Sequence, residues 1–187
     1  MGGSLKGLEL VGGRRIIDRV VSAIKMVTPD IVLSANHQNA VTWLEHVAIV
    51  SDKSPGLGGI SGIHAALSLR LDVLVVAWDM PFVTGSLLSA IATAGIETGA
   101  EAVIPQSDSP NGIEPFCAWY SSSAFATIDA FLQAGGGSAR DLVGRLQRVH
   151  FIPREVSARF GDPDALFLSV NTAEDLERAR AIAETAQ

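Results

Sequence analysis

The sequence predicts a three-layer α/β domain in which helices cover both faces of a mostly parallel, doubly wound, Rossmann-like sheet. Three observations carry that expectation. Apolar segments of strand length alternate with helical stripes through the first half of the chain, the order of consecutive βαβ units. Residues 73–77, V-L-V-V-A, form an unbroken and mostly β-branched run, the composition of a strand buried on both faces of a parallel sheet. Asn36, Asp52 and Asp79 each follow a predicted strand, and a parallel sheet lines such ends along one edge, where open α/β sheets bind ligands.

Residues 1–13 carry Gly2, Gly3, Gly7, Gly12 and Gly13 and one lysine, Lys6. Such a segment suits either a phosphate-wrapping loop, with bare backbone N–H groups and an ammonium, or a frayed terminus. It is not a Walker loop, because no Gly-Lys-Ser/Thr follows a strand. Residues 15–27 set Ile16, Ile17, Val20, Val21, Ile24 and Val27 on one helical stripe, closed by Pro29 and Asp30. A short strand at 31–33 leads to Asn36, a weaker helix follows at 39–46, and a strand at 47–50 ends in Ser51-Asp52. Residues 53–62, K-S-P-G-L-G-G-I-S-G, form a glycine-rich loop before a helix over 63–69, suited either to an anion or to plain flexibility.

The 73–77 strand stops before Pro81, which cannot donate to a ladder, so Asp79 stands at its carboxyl end. Taken alone, Asp79 is either a ligand-facing carboxylate or a solvated turn acid. Thr84 caps the next helix, with Leu87, Leu88, Ile91 and Ile96 on its apolar side. A strand at 102–105 precedes a polar, turn-rich candidate flap at 106–112. An aromatic strand at 116–120, a helix at 121–132 and a glycine joint at 135–137 follow. Ser138 caps a helix reaching 146, 149–152 is a strand, and 166–170 is the last strand, ending at Asn171. Thr172 caps the closing helix over 173–184, whose first-turn Glu174 and Asp175 suit the helix dipole.

The totals exclude several classes. At 187 residues one domain is the default, and 48% hydrophobic against 18% charged residues suits a sheet covered on both sides. Mean hydropathy is +0.30 and the pI near 5.1. A net charge of −6 argues against nucleic acid, which needs a clustered basic surface. With no apolar run of spanning length and no signal-peptide pattern, the expectation is a cytoplasmic protein with no membrane partner. The lone Cys117 reads as a packed thiol, and His37, His46, His64 and His150 lack a metal-ligand spacing. No nucleophile triad is arguable from the order of these residues.

These motifs resemble the molybdenum cofactor guanylyltransferases, within the wider nucleotidyltransferase group that includes cytidylyl and sugar-nucleotide transferases. The matching residues are M-G-G-S-L-K-G-L-E-L-V-G-G-R at the start, S-A-N at 34–36, and Asp52 after its strand. They continue with the G-L-G-G-I-S-G-I-H-A-A-L loop and helix, D-M-P-F at 79–82, and N-T-A-E-D-L at 171–176. The likeness spans nearly the whole chain, and its specificity lies in the order and spacing of short motifs.

The resemblance implies a nucleotidyltransferase-like fold that moves GMP from GTP to the terminal phosphate of molybdopterin and releases pyrophosphate. It implies Lys6 on the nucleotide phosphates, Asn36 and Asp52 on the guanosine part, Asp79 as the Mg²⁺ ligand, and Asn171 near the acceptor. Lys53 and Arg14 or Arg15 are further candidates for positive charge near the anionic substrates. Molybdoenzymes or their chaperones are candidate partners. In the family pattern a strand ending in L-A-G-G and a basic stretch lead to R-M-G. This sequence opens at Met1-Gly2-Gly3, with Leu5 where members often carry Asp. The expectation is one domain, 1–187, lacking that strand and most of the phosphate loop, with weakened nucleotide binding and apolar strand edges left open. Rivals are the same fold using CTP or a sugar-phosphate acceptor, and a non-catalytic remnant. A nicotinamide oxidoreductase is disfavoured, because no G-x-G-x-x-G follows a first strand.

Overall fold

A computed structural model describes residues 6–51 and 58–185. Gly12 and Gly13 stand between Val11 and Arg14 with φ of +55° and +74°. A two-residue hairpin turn needs that left-handed pair, so β1 (Leu10–Val11) and β2 (Arg14–Arg15) form a small antiparallel hairpin. Helix α1 (Ile16–Ile24) follows at once and buries Ile16, Ile17, Val20 and Ala23, the face its apolar stripe predicts.

Strands β3 (Val32–Ser34) and β4 (Ala48–Val50) pair in parallel. Between them the expected helix over 39–46 is only a 3-10 turn at Ala40–Thr42. Local polar bonds replace the helical ones: the Asn39 N–H donates to His37 Nδ1 and the Thr42 hydroxyl to the Asn39 carbonyl. Helix α2 (Gly59–Leu67) starts four residues before the expected 63, and β5 (Val73–Val76) is the anticipated apolar strand.

Helix α3 (Gly85–Thr98) is capped by Thr84, whose hydroxyl accepts the Leu87 N–H, and it buries Leu87, Leu88 and Ile91. Ile96, expected on that apolar side, is 78% exposed. The contact face instead runs through Gly95, where the bare backbone lies against the Trp119 ring, and the helical step turns Ile96 away. Then come β6 (Ala102–Pro105), β7 (Cys117–Tyr120), α4 (Phe125–Gln133), α5 (Ala139–Val143) and β8 (Val149–Ile152). The chain closes with α6 (Arg154–Ser157), α7 (Pro163–Leu166) and α8 (Ala173–Thr185).

The four-stranded sheet has the order β5-β7-β6-β8. Strands β5, β6 and β8 run the same way and β7 alone runs against them. Side chains alternate strictly between two cores, as the two-residue strand period requires. Leu74, Val76, Val103, Cys117, Trp119 and Ile152 face α1, α3 and α8. Val73, Val75, Ala102, Ile104, Ala118, Tyr120 and Val149 face α2, α4 and α5. This is the three-layer α/β architecture expected from the sequence.

Among the described residues, β3 and β5 each have a ladder partner on one side only. Strand β5 feeds both cores, yet each of its residues stays half-exposed. The expected last strand over 166–170 does not form. Asp162 caps and Pro163 starts the turn of α7, which draws Leu166 into a helix. Leu168 and Val170 are apolar because they fill the core, not because they pair. Among the described residues, no helix is long and apolar enough to cross a membrane.

Candidate functional site

The site forms where β5 ends. Trp78, two residues past the strand, stacks on Trp43 with ring centroids 4.8 Å apart. Gly7 lies against Trp78, and a Cβ there would come within 2.5 Å of its ring. Only a glycine allows that approach. It lays the 3-10 turn Lys6–Leu8 over the Trp78 ring, next to Asp79.

Asp79 Oδ1 is buried and has no hydrogen-bond partner. Burial pushes this carboxyl above the usual carboxylate range. Ser169, the residue's own backbone N–H and the Lys6 ammonium oppose the rise, and Asp175 adds to it. The Val170 N–H donates to the Asp79 carbonyl at 2.9 Å, which ties the segment before α8 to the end of β5. Asn171 Nδ2 in turn donates to Ser169 Oγ at 3.0 Å.

Asp175 Oδ2 accepts the N–H groups of Asn171 and Thr172, at 2.9 and 2.7 Å, and its own N–H donates to Thr172 Oγ1. The Thr172 bond first, with those backbone donors and Lys6, holds its carboxyl below the ordinary range. Asp175 is therefore more than a dipole partner: it shapes the Asn171 turn and shares Lys6 with Asp79.

The structure thus brings Lys6, Asp79 and Asn171 together. Asn36 is exposed and follows Ala35, which packs in the same small cluster as Trp78. Asp52 and Lys53 lie outside the described residues. Arg14 and Arg15 bond to α1: Arg15 forks onto both Asp18 oxygens at 2.7 Å, and Arg14 Nη2 donates to Ser22 Oγ. Sequence reasoning missed Ser169, which has no signal beyond sitting two residues before Asn171. Beside Ser169, a cavity of about 360 Å³ opens between the 107–114 loop, which overlaps the candidate flap at 106–112, and the segment around α7.

A buried carboxylate oxygen without a partner, beside a lysine, fits a hard divalent cation that takes one carboxylate and completes its shell with water and phosphate oxygens. Among the described residues, no cluster of three or more His, Cys, Asp or Glu stands ready to cage a metal. Cys117 is fully buried and its thiol is pushed far up by that burial, which removes it as a nucleophile.

A mixed α/β sheet with such a carboxylate just past the end of β5 suits a domain that positions a phosphorylated nucleotide. The family model described as a MobA-like NTP transferase domain matches residues 1–149. The chain belongs to that family. It is 33% identical over 184 residues to a molybdenum cofactor guanylyltransferase of Desulfosudis oleivorans, covering 96% of this chain and 88% of the relative. The crystal structure of molybdopterin-guanine dinucleotide biosynthesis protein A from Archaeoglobus fulgidus matches with a TM-score of 0.83 at 28% identity, covering 98% of this chain and 92% of that one. A Mycobacterium tuberculosis protein crystallised in complex with manganese shares the fold, with a TM-score of 0.65 at 16% identity over 96% of this chain and 93% of that one.

Proposed function

We propose that this chain transfers GMP from GTP to the terminal phosphate of molybdopterin and releases pyrophosphate. The observation that carries the reading is Asp79: a buried, incompletely bonded carboxylate at the carboxyl end of β5, with Lys6 and Ser169 beside it. Family membership and the guanylyltransferase relative support the choice of substrates.

In this reading an oxygen of the acceptor phosphate attacks the α-phosphorus of GTP. The bond from that phosphorus to the bridging oxygen breaks, and pyrophosphate leaves with the electron pair. No protein nucleophile is required, so the residues act by positioning and charge. Asp79 would hold Mg²⁺, which when bound neutralises charge on the phosphates. Lys6 offsets phosphate charge from the other side, and its place over Trp78 depends on Gly7. Ser169 orients the Asp79 carboxylate, and Asn171 holds Ser169 while facing the acceptor side. Asn36 and Asp52 are assigned to the guanosine part.

Pyrophosphate release measured with GTP, Mg²⁺ and molybdopterin tests this directly. Release with GTP is expected, and preference for CTP in competition would overturn the guanylyl assignment. No release, with no binding of Mg²⁺–GTP, would overturn the transferase reading for this chain.

A further inference from the structure

Glu114 is a buried acid without a cation. It is 8% exposed, and its Oε1 accepts a hydrogen bond from Ser107 Oγ at 2.5 Å, with the Ser109 hydroxyl as its other polar neighbour. Among the described residues, no Lys, Arg or His pairs with it. Burying a carboxylate without a counter-charge is unfavourable. The Ser107 bond staples the loop between Gln106 and Ile113, which also form a bridge pair. A neutral glutamine would staple that loop as well, with a smaller desolvation cost. A carboxyl at this place, lining a cavity, suits a ligand that brings N–H donors.

Glu114 lines the 360 Å³ cavity together with Ser107, Ser109, Phe167, Ser169 and Arg178. Ser169 links this cavity to Asp79. Arg178 has no carboxylate partner among the described residues. The enclosure thus offers a buried acceptor at one place, an aromatic wall, and an uncommitted guanidinium for an anion.

We propose that this cavity holds the head of the acceptor and that Glu114 reads the 2-amino-4-oxopyrimidine edge of its pterin ring, an inference that rests on the guanylyl-transfer reading above. That edge presents a ring N–H and an amino N–H side by side, and a carboxylate accepts such a pair in a bidentate, charge-assisted geometry. Guanine carries the same edge. The pterin is the better occupant, because the cavity opens on the β6 and α7 side, next to Ser169 and Asn171. The guanosine-side candidate Asn36 follows β3, in the other strand pair.

The test compares the full chain with Glu114→Gln and Ser107→Ala. Binding of 6-hydroxymethylpterin is read by its fluorescence, Mg²⁺–GTP binding by calorimetry, and KM for molybdopterin by pyrophosphate release. Glu114→Gln keeps the staple but puts an amide where an anion stood. It should weaken pterin binding and raise the acceptor KM by about 10- to 100-fold, while kcat and GTP affinity stay put and Tm does not fall. Ser107→Ala breaks the staple and spares the carboxylate, so its effect should be far smaller. Equal losses in both variants would tie pterin binding to the shape of the loop instead of the Glu114 charge and overturn the proposal. Loss of GTP affinity with pterin binding intact would move the contact to guanine and overturn the acceptor assignment. A wild type that binds GTP and turns over, with Glu114→Gln matching it in every readout, would overturn this inference alone. A wild type that binds neither GTP nor pterin would overturn both readings.

Discussion

Neutralising Asp79 should make the metal-free protein more stable while removing its response to the metal nucleotide. In the folded chain the Asp79 carboxyl sits above its ordinary value of 3.8, chiefly through burial, and Oδ1 has no partner. For an acid raised in the folded state, stability is fully present below the unfolded value and is lost as pH rises through the folded one. At neutral pH the wild type therefore carries the cost of an ionised, under-bonded carboxylate. A buried polar atom without a partner costs about 1–3 kcal/mol. Asparagine keeps an acceptor for Ser169 and removes the charge, so it should recover about 1–2 kcal/mol of this at pH 7. For a chain of this size that is a rise in Tm of about 2–8 °C. The measurement is calorimetric melting in a chelator from pH 4 to pH 8. The gap between Asp79→Asn and wild type should be widest at the upper end and narrow as pH falls and the folded carboxyl takes up its proton. Mg²⁺–GTP at about 100 times its Kd should stabilise the wild type by about 2.7 kcal/mol and leave Asp79→Asn unmoved. A variant that is less stable than wild type at pH 7, or that responds equally to Mg²⁺–GTP, would refute the reasoning.

Two further perturbations probe the same cluster. Ser169→Ala removes a hydrogen bond that favours the ionised Asp79, so the acid limb of the kcat/KM profile should move to higher pH with little change in Tm. An unmoved limb would show that Ser169 does not control Asp79. Gly7→Val drives a side chain into the Trp78 ring and should displace Lys6. Nucleotide affinity should fall by about tenfold or more, as for a lost charge-assisted contact. The emission of the stacked Trp43–Trp78 pair should change with it, and wild-type affinity would mean that Lys6 finds its place without Gly7.

Local pattern carried much of the fold because it needs only nearest neighbours. The β-branched run of β5, the stripe of α1, and the caps at Thr84, Ser138 and Thr172 are each decided within a few residues. Where a segment's apolar residues serve the core without pairing, pattern misleads. Leu168 and Val170 look like a strand but fill space beneath a turn, and Ile96 follows a helical period that Gly95 and Trp119 reset. The 39–46 segment had enough apolar residues for a helix, yet Trp43 was claimed by Trp78.

By itself, the sequence determined the α/β class, the alternation of strands and helices, and the place of Asp79 past the end of one apolar strand. Those features follow from composition and period, which no distant contact needs to supply. Only the tertiary structure decided that Oδ1 of Asp79 is orphaned, that Ser169 and Asp175 share its environment, and that Glu114 is sealed beside a cavity with no cation. Desolvation and charge depend on what arrives from remote parts of the chain, and the Val170 to Asp79 backbone bond and the Gly7 to Trp78 contact that set them join residues about ninety and seventy positions apart.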